Sequence, residues 1–275
     1  MLQQELNVNL FGQRFHDLRK SQSGVPDIAV SIPVNAKADL SNVLQLLKDL
    51  TRYNGPYSLE VILVINNFPP AEPPAYIPRF EEQGICVTAI PSVKKPGMAI
   101  PITARMHGVA VASCDPVVSF DADCRIPHPT ELINWYVERF KAGAALAYTY
   151  VGHYDIHPGF SVMARLAIHH LSRWVKRVAF GVPVTRGSNF AVRKSFVIPL
   201  YNEGYMADDI NVGPVVKQKR GKIYYSGAKK LRVLTSGRYV RENWPQLVRY
   251  LWYRMRYNLR VLPVSKDAAA RTKRR

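Results

Sequence analysis

From Ile28 to Lys141 the chain alternates short apolar runs with segments whose apolar residues recur at helical spacing. Ile28-Ala29-Val30-Ser31-Ile32-Pro33-Val34 and Leu59-Glu60-Val61-Ile62-Leu63-Val64-Ile65 are β-branched runs suited to buried strands. Between them Leu40, Val43, Leu44, Leu47 and Leu50 form a helical stripe behind Asp39, an N-cap residue, so the region reads as β-α-β. A proline-rich loop from Phe68 to Pro78 leads to a predicted strand from Ile85 to Ile90 and a helix from Ile100 to Ser113. The strand Pro116-Val117-Val118-Ser119-Phe120 and a helix capped by Thr130 and running to Lys141 follow. This alternation predicts an α/β fold: a mainly parallel, Rossmann-like sheet flanked by helices on both faces. Ligands of such sheets sit beyond the carboxyl ends of the strands, which directs attention to the residues after each run. The chain from Leu146 to Tyr239 is less regular, with one further helix predicted over Ile210 to Lys219. Ahead of the patterned region lie a short helical stretch, Leu10 to Lys20, and a polar linker, Ser21-Gln22-Ser23-Gly24, so residues 1–27 read as an extension.

A hydrophobic content of 47% in 275 residues supplies a sizeable core and excludes bulk disorder. No run approaches the roughly 18 apolar residues that would span a bilayer, and the polar start Met1-Leu2-Gln3-Gln4-Glu5 lacks the pattern of a secretion signal. Cys86, Cys114 and Cys124 are odd in number without C-x-x-C spacing, so neither a disulfide framework nor a zinc site is encoded, and a cytoplasmic setting is expected. Lys and Arg total 38 against 20 Asp and Glu, and the surplus is regional: residues 217–275 hold 18 basic and 2 acidic groups. Charge gathered this way is a device for meeting something anionic.

Asp121-Ala122-Asp123 follows the apolar run ending at Phe120 and sets two carboxylates one residue apart at the carboxyl end of a buried strand. Two like charges so close need neutralisation, and a hard divalent ion, Mg²⁺ or Mn²⁺, would provide it. An acidic turn leading into the next helix is the other reading. Asp208-Asp209 precedes the helix predicted from Ile210, where aspartates favourably meet the helix dipole whatever else they do. The glycine-led loop Gly187-Ser188-Asn189 lies shortly before and brings a backbone able to approach a ligand closely. Periodicity does not bring Asp209 near Asp121.

Taken in order, Ile32-Pro33-Val34-Asn35, Ala104-Arg105, Asp121-Ala122-Asp123, Gly187-Ser188-Asn189 and Asp208-Asp209 resemble the motifs of glycosyltransferase family 2, with the GT-A fold, over residues 28–226. The resemblance implies a GT-A catalytic domain at 28–235. It also implies a metal-dependent, inverting enzyme that moves a sugar from a nucleotide-diphosphate sugar to a hydroxyl acceptor. It places the metal on Asp123 and Asp121, with Asp121 also near the ribose, and the catalytic base on Asp209. Donor-binding positions implied in the same way are Pro33, Asn35, Asn67, Arg105, Asp121, Gly187 and Asn189; Lys94 and Lys95 are expected as further diphosphate contacts, with solvated loop lysines as the other reading. The chain departs from the family pattern at several points. Asn66-Asn67 stand where aspartate is common, Ala36-Lys37 follow Asn35 in place of a carboxylate, Met106 replaces asparagine, and Asp208 stands where glutamate is usual.

The carboxyl-terminal segment 236–275 reads as a basic amphipathic helix and tail. Trp244, Val248, Leu251, Trp252, Met255 and Leu259 fall on one face, Arg249, Tyr253, Arg256 and Arg260 on the other, with Pro245 in the first turn. Phe160 to Phe180 has a similar character, Met163, Ala167, Leu171, Trp174 and Val178 sharing a face. Each segment either packs its apolar face on the catalytic domain or lies in the headgroup region of an anionic bilayer. Many members of the resembled family act on lipid-linked acceptors, which fits a peripheral position at the inner face of the plasma membrane. A single-stranded nucleic acid also takes basic charge interleaved with aromatics, but this charge avoids the motif-bearing sheet, so no nucleic acid is expected. A sugar-phosphate nucleotidyltransferase needs a glycine- and basic-rich triphosphate loop, which Pro33-Val34-Asn35-Ala36-Lys37 does not supply. Histidines 153, 157, 169 and 170 lack recognised metal spacing and read as ordinary surface or core residues.

Overall fold

The computed structural model describes residues 11–22, 24–91, 100–156 and 159–237, together with residues 244, 245, 248, 249 and 252. In chain order these form α1 (Arg14–Arg19), β1 (Ile28–Asn35), α2 (Leu40–Leu50), β2 (Leu59–Asn66), α3 (Ile77–Glu81), β3 (Cys86–Ile90), α4 (Ile100–Val111) and β4 (Val117–Ser119). The second half adds α5 (Pro129–Lys141), β5 (Leu146–Thr149), β6 (Val151–His153), α6 (Phe160–Val178), β7 (Phe190–Val192), α7 (Lys194–Asn202), α8 (Val212–Gln218), β8 (Ile223–Ser226) and β9 (Val233–Thr235). The main sheet runs β3-β2-β1-β4-β7-β5-β8, and β6 pairs with β9 in a small second sheet. β1, β2, β3 and β4 pair in parallel, while β7 is antiparallel to β4 and β5. The expected mainly parallel α/β sheet is therefore present, and one antiparallel strand joins its two halves.

Strand alternation separates the interior into two apolar layers. Ile28, Val30, Ile32 and Val34 of β1 pack with Val43, Leu46 and Leu47 of α2 and Ile133 and Tyr136 of α5 on one side of the sheet. Ala29 packs with Ile102 and Val109 of α4, Val197 of α7 and Val215 of α8 on the other. Gly108 lets α4 settle against the sheet, because a methyl group there would overlap Ser31 Oγ of β1. Residues 11–19, expected as an extension, pack on the domain through Phe11, Phe15 and Leu18. Arg19 of α1 reaches Glu60, 3.3 Å away, and that buried carboxylate also accepts from the Ser113 amide and hydroxyl at 2.8 Å.

Two helix starts differ from expectation. Asp39 occupies the N-cap position of α2, but its Oδ2 accepts from the Asn35 amide at 3.1 Å and makes no cap to the helix. The N-cap of α5 is His128, with Pro129 as the first helical residue; the Thr130 hydroxyl exchanges hydrogen bonds with Asn54 instead. The helix predicted from Ile210 starts as a 3₁₀ turn, Asp209–Asn211, before α8.

Helix α6 is turned inside out. Arg165 and His169 are its buried residues, whereas Phe160, Met163, Leu171, Trp174 and Val178 face outward, Phe160 at 94% and Trp174 at 51% exposure. The Trp244 indole N–H donates to Ser161 Oγ at 3.1 Å, and Trp244, Val248 and Trp252 are exposed as well. The rest of the predicted carboxyl-terminal helix, with Leu251, Met255, Leu259 and the basic tail, lies outside the described residues. Among the described residues no helix is long and apolar enough to cross a membrane.

Candidate active site

β1, β2 and β4 end on the same edge because they are parallel, and the loops leaving them line a cavity of about 610 Å³. Pro33 and Asn35 come from the end of β1, Asn66 and Asn67 from β2, and Asp121, Ala122 and Asp123 from the loop after β4. Asn67 holds a left-handed φ of 62°, a conformation asparagine tolerates, and its amide donates to Asn35 Oδ1 at 3.0 Å. Gly187, Ser188 and Asp209 reach the cavity from the second half of the chain, and Thr235, Ser236 and Gly237 from the end of β9. The acidic loop is held from behind: Asp49 Oδ2 accepts from the Ile126 amide at 2.8 Å, and Arg52 donates to both Asp49 Oδ1 and the Ile126 carbonyl at 2.9 Å.

Arg105 is the electrostatic centre of this wall. It is 3% exposed, donates from Nη1 to Ser119 Oγ at 2.8 Å, and makes an ion pair with Asp121. Burial alone would lower its pKa; the carboxylates of Asp121 and Asp209 outweigh that and hold it above the ordinary value. Gly187 makes the arrangement possible, since a methyl group there would overlap both the Arg105 guanidinium and Asp209 Oδ2. Asp123 accepts from the Thr235 hydroxyl at 3.1 Å. Both carboxylates of the acidic pair thus lie in the cavity, one against a cation and the other against a neutral donor.

The Asp208-Asp209 pair divides its labour. Asp208 is an N-cap: its Oδ1 accepts from the Ile210 amide at 3.3 Å, and its own amide donates to Asn211 Oδ1 at 2.9 Å, a reciprocal capping box. Asp209 sends its side chain into the cavity while Thr185, fully buried, donates to its carbonyl at 3.1 Å. Asp123 and Asp209, which periodicity leaves apart, therefore share one cavity.

Pro33, Asn35, Asn67, Arg105, Asp121, Asp123, Gly187 and Asp209 all line this space. Asn189, expected at the donor, does not: it is buried at 1% exposure, accepts from the Tyr136 hydroxyl and donates to Thr149 Oγ1. Its carboxamide is used up in the interior, where it holds the glycine-led loop against α5 and β5. Lys94 and Lys95 lie outside the described residues.

Several lining residues escaped sequence reasoning. Asp39 carries a carboxylate to the cavity wall next to Asn35. Arg186, His153 and His169 also line it, so two of the histidines read as ordinary belong to the cavity, and His170 stacks its ring on Tyr150 at 5.4 Å beside them. Burial pushes His153 and His170 down to about 4, with Arg186 and Arg173 acting in the same direction, and His169 is lowered by the same causes. His157 lies outside the described residues. Arg186 stands next to the Gly187 motif, and Thr235-Ser236-Gly237 end an apolar run, so the strand-end rule extended to this half of the chain would have found both. Nothing in the spacing of the histidines marks them.

Among the described residues no group of three or more His, Cys, Asp or Glu could hold an ion. Asp121 and Asp123 are two carboxylates on one cavity wall, fewer ligands than Mg²⁺ or Mn²⁺ takes, so an ion there would need its remaining oxygens from a bound diphosphate and water.

No family model matches the sequence, and no curated protein does. Solved structures do resemble it. A mannosyltransferase from Pyrobaculum calidifontis in complex with GDP-Man and Mn²⁺ aligns with a TM-score of 0.53 at 16% identity, covering 94% of this chain and 79% of that one. Glucosyl-3-phosphoglycerate synthase from Mycobacterium tuberculosis in complex with UDP aligns at 0.50 and 16% identity, covering 87% and 83%. The same enzyme with Mn²⁺, UDP and glucosyl-3-phosphoglycerate aligns at 0.50 and 16%, covering 91% and 83%. The chain therefore has the GT-A fold of these nucleotide-sugar glycosyltransferases.

Proposed function

We propose that this protein is a metal-dependent, inverting glycosyltransferase that moves a sugar from a nucleotide-diphosphate sugar to a hydroxyl acceptor at an anionic membrane surface. The observation that carries the reading is the convergence of Asp121, Asp123, Arg105 and Asp209, drawn from distant parts of the sequence, on one cavity at the carboxyl edge of a parallel sheet. The fold shared with enzymes solved with UDP or GDP-Man and Mn²⁺ supports the donor class.

Asp123 and Asp121 would hold a Mg²⁺ or Mn²⁺ ion, which when bound supplies Lewis-acid stabilisation of the charge on the departing diphosphate. Asp121, held by Arg105, keeps its orientation without the ion. Asn35, Asn67 and Asp39 offer donors and acceptors at the nucleoside end of the cavity. Asp209 takes the proton from the acceptor hydroxyl as it attacks the anomeric carbon opposite the leaving group, which inverts that centre. Gly187 keeps the space around Asp209 open.

The membrane part of the reading rests on the outward apolar face of α6, the exposed Trp244, Val248 and Trp252, and the 18 basic residues of 217–275. The test has two arms. Thermal stabilisation by a panel of nucleotide sugars should depend on Mn²⁺, disappear with EDTA and survive in Asp209→Asn, while that variant loses about a thousandfold in transfer rate. Full transfer by Asp209→Asn refutes the base. Co-sedimentation with phosphatidylglycerol vesicles and not with phosphatidylcholine vesicles is expected, and salt-sensitive binding to oligonucleotides without vesicle binding would refute the membrane assignment.

A further inference from the structure

The wall of the cavity formed by β6, α6 and the loop before Gly187 is not used by the sugar-transfer steps above. His153 and His169 have ring centroids 6.3 Å apart, His153 and His170 6.4 Å, and His169 and His170 5.9 Å. The Arg186 guanidinium lies against His169 Nε2, and Arg173 donates to the Val151 carbonyl at 3.5 Å. His153, His169 and Arg186 face the same cavity as Asp209. Three imidazoles grouped this closely invite a metal, but two guanidiniums beside them repel a cation, and among the described residues the cluster makes no metal-binding group.

The chemistry that suits this wall is the opposite. Arg186 presents a fork of N–H donors, and each neutral imidazole can turn one N–H to an acceptor. From this arrangement we propose that His153, His169 and Arg186, with His170 and Arg173 behind them and outside the cavity lining, form an acceptor-side subsite for a phosphate monoester, which places a phosphorylated acceptor's hydroxyl at Asp209. The inference rests on the glycosyltransferase reading for its orientation toward Asp209; the anion site itself does not. A dianion there offsets the guanidinium charge and takes an imidazole N–H as donor, so occupancy has a direct signature in the imidazole resonances, while burial, the larger cause of the depressed pKa values, stays.

The phosphate could arrive on a soluble metabolite or as a lipid headgroup, since the helix that supplies His169, His170 and Arg173 shows its apolar face outward. The experiment separates the two. The whole chain, with carbon-13-labelled histidine, is saturated with Mg²⁺ and UDP, or GDP where UDP does not stabilise it. It is then titrated with glycerol 3-phosphate, with dihexanoyl phosphatidate below its micelle concentration, and with glycerol as control.

Saturable shifts of the His153 and His169 imidazole signals on titration with glycerol 3-phosphate are the expected result. Movement with phosphatidate only keeps the subsite and assigns it to a lipid headgroup. Arg186→Gln should weaken the effective phosphate at least about tenfold while leaving nucleotide affinity unchanged; Arg173→Gln serves where the first variant does not fold. No movement with either phosphate overturns the proposal. Equal loss of nucleotide and phosphate affinity in Arg186→Gln also overturns it, by giving Arg186 to the donor. If no nucleotide stabilises the protein in any metal, the glycosyltransferase reading fails, and the phosphate titration still reports on the anion site alone.

Discussion

Arg105 and Asp121 form an ion pair in which the guanidinium is almost wholly withdrawn from solvent, and Asp209 supplies a second negative charge to the same group. A buried cation is tolerated only while it is compensated. Asp121→Asn and Asp209→Asn should therefore each cost about 1 kcal/mol, since one carboxylate remains, whereas the double variant should lose more than their sum by at least about 1 kcal/mol. Urea unfolding of the four proteins measures the coupling. Strict additivity would mean that the two carboxylates do not share Arg105.

Gly187→Ala places a methyl group where Arg105 and Asp209 already are. One of the two must move, and displacement of a catalytic group by about an ångström costs on the order of a hundredfold in rate. The expected outcome is that loss in kcat; a matching loss of metal-dependent donor binding would show that Arg105, which holds Asp121, is the group that moved. Unaltered steady-state kinetics would show that the loop yields without disturbing Asp209.

The Asp49 and Arg52 side chains grip the backbone of Ile126 behind the acidic loop. Removing the buried acceptor in Asp49→Ala leaves the Ile126 amide unsatisfied and should cost about 2 kcal/mol. Ile126 follows Asp123 by three residues, so loss of the grip should also loosen the acidic loop and lower affinity for Mn²⁺ in the presence of donor. Calorimetric titration of the metal distinguishes this from a purely global loss of stability.

Asn189 separates two roles that the sequence left joined. Its carboxamide links Tyr136 to Thr149 in the interior, so Asn189→Ala should destabilise the fold by about 2 kcal/mol and leave donor affinity where it was. A large loss of donor affinity in a variant that keeps its stability would return Asn189 to the binding site.

The depressed imidazoles set an acid limit. His153 and His170 have folded pKa values of about 4, below the ordinary value of 6.5, so the unfolded chain takes up protons first. The stability they protect is complete above pH 6.5 and is lost progressively as pH falls toward 4. Burial is the larger cause; beside it Arg186, His170 and Arg173 disfavour a charge on His153, and Arg173 and Arg186 one on His170, while the Thr235 backbone favours the charged His153. Tm should decline over that window, and the decline should be shallower in His170→Gln. An equal slope in both proteins would mean that other groups govern the acid limit.

The strand and helix order was legible because burial imposes its own periodicity. Residues 28–65 could only satisfy a sheet covered on both faces, and the acidic pair stood at a strand end where such sheets bind ligands. The ordered motifs then pointed to the GT-A fold through residue identity, a signal independent of periodicity. Helix starts were less legible: Thr130 and Asp39 have the side chains of caps, yet neighbouring Asn54 and the Asn35 amide compete for them. Asp208 and Asp209 are chemically identical along the chain, and only the capping box consumes one and turns the other inward.

Local pattern thus settled which segments form the first strands and helices and which of their faces are apolar, because helical and strand periodicity act over a few neighbouring residues. It did not settle which side of α6 faces the protein; the amphipathic stripe was evident, and packing put the polar side in. Nor did it bring His153, His169 and Arg186 to the cavity that holds Asp123 and Asp209. Contacts between residues distant in the chain depend on how the sheet halves are joined through β7, and no short window of sequence records that geometry.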